Sequence, residues 1–183
     1  EKTHPFTKAI LSGNIKDYLG RFYNSFSPKT IGEYFFLNNL ELKIQPQTVW
    51  MDVINKGTTQ KGEGGIPIRE GIQFFGPVSE RKLAFETTRI ETTYKSIHSN
   101  GFLPNDYGGY PYGIFLINGN DFVFQITGGG QHRTAVLAAL GWKIVQCTSQ
   151  KRRIRIIDIN QSSNWPLVKN NFLSIEEAEC LFK

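Results

Sequence analysis

Phe122-Val123-Phe124-Gln125-Ile126-Thr127-Gly128-Gly129-Gly130-Gln131-His132-Arg133-Thr134-Ala135-Val136-Leu137-Ala138-Ala139-Leu140-Gly141 decides how this chain is read. An apolar run rich in β-formers leads through three glycines into an Ala/Leu/Val segment that stops at glycine. The pattern predicts strand, tight turn, helix and stop. The first N–H groups of a helix have no partner within it, and the helix dipole adds partial positive charge there. Glycine removes the Cβ that would hold a ligand away from the backbone. Gly129, Gly130, Gln131, His132, Arg133 and Thr134 thus form a candidate phosphate cradle. Arg133 offers a fork of donors. His132 offers a hydrogen bond and a proton-transfer group near neutral pH, which makes it the candidate catalytic residue. The glycines fit neither GxGxxG nor a P-loop, since no Gly-Lys-Ser/Thr follows. A plain strand–helix turn is the competing reading.

Working outward, Gly113–Ile117 is a short apolar strand, and Asn118-Gly119-Asn120-Asp121 is a hairpin signal ahead of the return strand 122–127. Upstream, residues 79–100 carry Leu83, Phe85, Ile90, Tyr94 and Ile97 at helical spacing. Ser79 can cap that helix, without a capping box because Lys82 follows three residues on, and Gly101 ends it. Arg89, Thr92 and Ser96 share one face of it as a row of cationic and hydroxyl donors. Gly101-Phe-Leu-Pro104 and the aromatic turn 105–112 connect it to the first strand. Downstream, 144–148 and 151–159 read as further strands. Cys147 reads as a small core residue. Ser174 and Glu177 form a capping-box start for a last helix.

The first 40 residues read as helical with breaks at Gly13 and Gly20, and Ser27-Pro28 as a second helix start. Residues 41–54 read as strand or helix. The glycine- and charge-rich stretch 55–71 reads as a loop, either a lid over a ligand or a surface connection.

Composition sets the bounds. With 183 residues, 39% apolar content, 14 Phe and 7 Tyr, the chain can bury a core without disulfides. Its two cysteines make no disulfide framework and no metal motif. No apolar run approaches the roughly 20 residues of a membrane span, so no membrane partner is expected and the cytoplasm is the expected location. A net charge of +5 points to a phosphorylated partner if to any. The cluster Lys151, Arg152, Arg153 and Arg155 keeps a nucleic-acid reading open, although a strand splits such a run between two faces.

Gly130-Gln131-His132-Arg133 and the helix after it resemble the signature of the ParB/sulfiredoxin-like superfamily. The likeness extends upstream through Arg89–Ser96 to Gly101-x-x-Pro104 and covers about residues 78–158. It implies an α+β fold, a small mixed sheet with helices, with a nucleotide-binding core at 78–160. Residues 1–77, outside the likeness, are expected as an N-terminal helical or irregular extension, and 161–183 as a C-terminal tail with a helix. It further implies ATP or CTP as ligand, with Mg²⁺, and Arg89, Thr92 and Ser96 as nucleotide-binding residues beside Gly129–Thr134. The function expected is phosphotransfer from the nucleotide to a small-molecule acceptor, with a non-catalytic nucleotide switch or a DNA-associated module as alternatives. Gln131 stands where sulfiredoxins have their reactive cysteine, so thiol chemistry is not expected. Gly129 stands near the place of the acid in free serine kinases of the superfamily. Glu63, Glu70 and Glu86 are the candidate substitutes.

Overall fold

The computed structural model describes residues 4–30, 33–34, 62–106, 108–149 and 155–183. The readings made for 35–61 and for Lys151, Arg152 and Arg153 lie outside the described residues. The architecture is mixed α+β, with helices and a small three-stranded sheet. The chain forms two compact units. One comprises residues 4–27, 62–112 and 128–148, and the other includes 113–127 and 155–183.

In the first unit four helices pack on one another: α1 (Pro5–Leu11), α2 (Ile15–Ser25), α3 (Glu80–Asn100) and α4 (Gln131–Ala139). Their common core is Phe6, Ala9, Leu19, Tyr23, Leu83, Ile90 and Ala135. The N-terminal helices are thus part of the same core as α3 and α4. Local chemistry explains each helix boundary. Pro5 opens α1, and His4 Nδ1 accepts from the Phe6 N–H. Gly13, at φ +74°, breaks the chain before Asn14 caps α2. Gly20 causes no break and lies inside α2, facing Leu83. Ser27 starts no helix. Its hydroxyl donates to the Tyr23 carbonyl and finishes the end of α2. Ser79 caps α3 by accepting from the Lys82 N–H, and Gly101 ends it at φ +78°. Gly141, at φ +81°, closes α4 with two bonds, Gly141 N–H to Ala138 O and Trp142 N–H to Leu137 O, the two-bond glycine stop.

The described end of the predicted loop, 62–71, is ordered. It forms two short 3₁₀ turns, Glu63–Gly65 and Ile68–Glu70, around buried Ile66. Residues 144–148 make no strand. They contribute one bridge, Thr148 to Tyr112, while Ile144 and Cys147 are exposed. Thr148 meets the first strand at its first residue, Tyr112, and in parallel pairing 144–147 would face the turn before it, where there is no ladder to join; Cys147 is not a core residue.

The second unit holds the sheet, ordered β2-β1-β3, with β1 (Tyr112–Asn118), β2 (Asp121–Gly128) and β3 (Ile156–Asp158). The β1–β2 turn falls at Gly119-Asn120, where the sequence predicts it. Strand β3 runs parallel to β1, with Phe115 opposite Ile156 and Leu116 opposite Ile157. Ile114 and Ile157 point into a core with Ile159, Trp165, Leu167, Leu173, Ala178 and Leu181. These last residues come from a 3₁₀ segment (Ile159–Asn164), α5 (Pro166–Lys169), α6 (Ile175–Phe182) and, for Trp165 and Leu173, the links between them. The capping box of α6 forms as expected, with both Ser174 and Glu177 engaged. No helix among the described residues is long and apolar enough to cross a membrane.

Candidate functional site

Every described residue of the predicted cradle belongs to the first unit. Helix α4 begins at Gln131 with no side chain capping it. The glycines before it have a structural reason to be glycines. A Cβ on Gly129 would run into the Tyr112 ring, and one on Gly130 into Pro111. Gly129 also adopts φ +61°. The space that a Cβ would need at Gly129 and Gly130 is taken by Tyr112 and Pro111, so these glycines serve close packing.

The charged groups are arranged more tellingly. Glu86 meets His132 in the first turn of α4, and Ile97 joins Val136 and Leu137 further along, so α3 and α4 run in the same direction. Arg89 is the member of the donor row near the start of α4. The charge of Arg89 is felt at Arg133: burial first, and then the Arg89 guanidinium, hold the Arg133 guanidinium below its ordinary value. Both remain cations. Thr92 is exposed and Ser96 half-buried. At 1.5 Å per residue Ser96 lies about 10 Å along α3 from Arg89. The row therefore runs away from the helix start and does not converge on it. Arg133 also lies against the 105–112 turn, where a Cβ on Gly108 would strike its Nη1.

His132 is 6% exposed and its ring is fully engaged in packing. Phe6 stacks on it with centroids 4.6 Å apart, and its Nε2 is 2.7 Å from Glu86 Oε2. Lys82 Nζ lies 2.6 Å from Glu86 Oε1. That contact is an ion pair outside hydrogen-bond angles, and Oε1 has no directional partner. Burial pushes the Glu86 carboxyl up, but the His132 hydrogen bond, the close Lys82 ammonium and the charge of both outweigh it and hold Glu86 below the ordinary carboxylate value. Above these groups, burial and then the Glu86 and Glu63 carboxylates push the Tyr23 phenol far up, so it stays neutral and donates to the Gln73 carbonyl. The Gln73 amide donates to Gln131 Oε1, which ties the first residue of α4 to the 72–75 turn.

The three candidate carboxylates separate cleanly. Glu86 is fully buried and occupied. Glu70 accepts from Ser79 Oγ at 2.8 Å and sits 3.5 Å from Arg81. Glu63 alone joins the donor row, its Oε2 2.7 Å from Arg89 Nη1, with both side chains substantially exposed. Phe85 lies between Lys82 and Arg89, whose charges stand 5.3 and 5.9 Å from its ring centroid. The described residues include no group of three or more His, Cys, Asp or Glu able to hold a metal ion.

Sequence reasoning passed over Lys82 and Gln73. One signal was available for the first: Lys82 and Glu86 are four apart on a helix, and Glu86 falls in the apolar stripe between Leu83 and Ile90. A charge inside such a stripe is a buried charge that needs a partner. Gln73 gives no comparable signal. Compared with protein-family models, with curated proteins and with solved structures, the chain matches none.

Proposed function

We propose that the first unit binds a nucleotide, ATP or CTP, by its phosphates at the start of α4. The single observation that carries this reading is a half-buried Arg133 in the first turn of an uncapped helix, with Arg89 near enough for its charge to be felt there. A phosphate that meets both cations gains from each. Glu63 pairs with Arg89 at 2.7 Å in an exposed position that a ligand can reach. In this reading Arg133 and the N–H groups of the first turn bind the terminal phosphates. Arg89 bridges them to Glu63, and Thr92 and Ser96 lie along the remainder of the ligand. The order of helix, Gly-x-x-Pro, hairpin, glycine turn and helix supports a distant ParB/sulfiredoxin-like core.

The reaction proposed is phosphotransfer to a small hydroxyl acceptor. The acceptor oxygen bonds to the terminal phosphorus, its proton passes to Glu63, the bond to the bridging oxygen breaks and the nucleoside diphosphate leaves. Positioning and charge neutralisation do most of the work in such transfers. A nucleotide-borne Mg²⁺ would be held mainly by the phosphates and water and would need few protein carboxylates. His132, buried against Glu86, is better suited to support than to proton exchange with a ligand.

A thermal-shift panel of nucleotides tests the reading. ATP or CTP should raise the melting temperature of the wild-type chain, and Arg133→Ala should abolish the rise. Absence of any nucleotide-dependent shift sinks the proposal. Binding without turnover on hydroxyl acceptors, unaltered by Glu63→Gln, leaves the non-catalytic switch.

A further inference from the structure

The most unusual feature of the first unit is its buried ionic group. Glu86 is 0%, Lys82 3% and His132 6% exposed. Replacing such a group with apolar side chains of similar volume is often neutral or stabilising, so a contribution to stability does not account for it. Its placement does. His132 is the second residue of α4 and the immediate neighbour of Arg133. An ionised carboxylate only accepts, so the His132 Nε2 facing Glu86 carries the proton. That bond fixes the imidazole from one edge, and Phe6 fixes it from a face. Lys82 supplies the charge that lets Glu86 stay ionised out of water. One turn further on, Thr7 Oγ1 donates to the Ala135 carbonyl and ties α1 to α4.

We propose that Glu86 is a positioning residue for the phosphate cradle: acting through His132, it holds the first turn of α4 in the orientation from which Arg133 and the helix N–H groups meet the ligand. This rests on the reading of that helix start as a phosphate site. Lys82 neutralises Glu86 and does not itself meet the ligand. Supporting contacts of this kind govern how well a charged site is aligned, separately from how stable the fold is.

The test compares Glu86→Gln with Leu167→Ala, a core variant in the second unit chosen to lower the melting temperature without touching the cradle. Binding of ATP and of inorganic pyrophosphate to the full chain is measured by calorimetry, well below each melting transition. Glu86→Gln should weaken both ligands roughly tenfold, the scale on which loss of a supporting contact beside a charged site acts. Leu167→Ala should stay within about twofold of wild type, as sites with no shared partners act independently. Imidazole nitrogen NMR adds a signature that the control does not share: the His132 resonance of a protonated, exchange-shielded Nε2 should change in Glu86→Gln and persist in Leu167→Ala. If Glu86→Gln does not fold, the Lys82→Met/Glu86→Gln pair, which leaves no buried ammonium unpaired, takes its place with the same expectations. Wild-type affinity in the Glu86 variant, or equal losses in both variants, overturns the positioning role and leaves the site reading standing. No binding of either ligand by the wild type overturns the site reading and the positioning role with it.

Discussion

Around Ile114, Ile157, Trp165 and Leu167 the second unit buries apolar side chains and, among its described residues, a single polar one, Ser162, which is bonded to Glu179 at 2.9 Å. Around Ile90 and Ala135 the first unit buries a carboxylate, an ammonium, an imidazole, a phenol and three threonines. Both cores exclude water, but by different means. In the second, Trp165 stacks on Phe182 and the aliphatic residues fill the space between the sheet and α6. Any one of them could be traded for another apolar residue of similar volume at small cost. In the first, Lys82, Glu86 and His132 satisfy one another, while the threonines and Tyr23 donate to backbone carbonyls, so these groups fit only one mutual arrangement. Such a core specifies a geometry more strictly than it adds stability, and the first unit is where the candidate ligand groups stand.

The contrast is broken most severely by Glu86→Ala. Removing the carboxylate leaves the Lys82 ammonium buried and unpaired, which should cost about 3–5 kcal/mol in urea denaturation. The Lys82→Met/Glu86→Gln pair should cost much less, since no charge is left stranded. A loss under about 1 kcal/mol for Glu86→Ala alone, the range of an exposed ion pair, would mean that these groups are not buried as described. In the second unit, Leu167→Ala should cost about 2–5 kcal/mol through the cavity it leaves. Nucleotide-dependent shifts should survive it, whereas Glu86→Ala should lose them.

A milder way to disturb the first core is acid. The folded-state value of Glu86 lies below its ordinary value, so the folded protein binds a proton there less readily than the unfolded chain. Stability from this group is therefore fully present above the ordinary carboxylate value. It is lost as pH falls through the depressed folded value. The groups facing Glu86 are His132, Lys82 and the neutral Tyr23. Urea midpoints measured downward from neutral pH should fall in the wild type below the ordinary carboxylate range. The acid limb should be flatter in the Lys82→Met/Glu86→Gln pair. Superimposable acid limbs would show that Glu86 is not held ionised by its neighbours.

What the sequence discloses and what it hides follows from how local each cause is. The stops at Gly101 and Gly141, the turn at Gly119 and the box at Ser174 and Glu177 depend on residues within a few positions of one another, and each forms as read. The strand expected at 144–148 fails because Thr148 meets β1 only at its first residue, Tyr112, and the residues before Thr148 have no strand to pair with. Ser27-Pro28 looks like a helix start, but Ser27 has a nearer carbonyl to bond at Tyr23. At the candidate site, Arg133 and Arg89 are nameable from helical spacing. Their proximity is not, because it depends on how α3 packs on α4. The Glu86–His132 bond spans 46 positions, and the sequence holds only its trace, a charge inside an apolar stripe. The glycines mislead in part, since Pro111 and Tyr112 need the space they leave.

The smallest expected effect also separates the two units, through their serine caps. Ser174→Ala removes an acceptor for the Glu177 N–H at an exposed helix start, and should cost about 1 kcal/mol. Ser79→Ala removes the same kind of bond, to the Lys82 N–H, and a second one, since Ser79 Oγ also donates to Glu70 Oε2 at 2.8 Å. Glu70 then keeps only Arg81, at 3.5 Å and largely exposed, which is worth little. The cost at Ser79 should therefore exceed that at Ser174 by about 0.5–1.5 kcal/mol, the net value of one more hydrogen bond. The loss should also spread. Ser79 ties the 62–71 turns, and with them Glu63, to the start of α3, so amide exchange in those turns should quicken in Ser79→Ala, while Ser174→Ala leaves it unchanged. Equal costs at the two serines, with no change in exchange at Ile66, would make Ser79 an ordinary cap and detach Glu63 from the frame that sets it against Arg89.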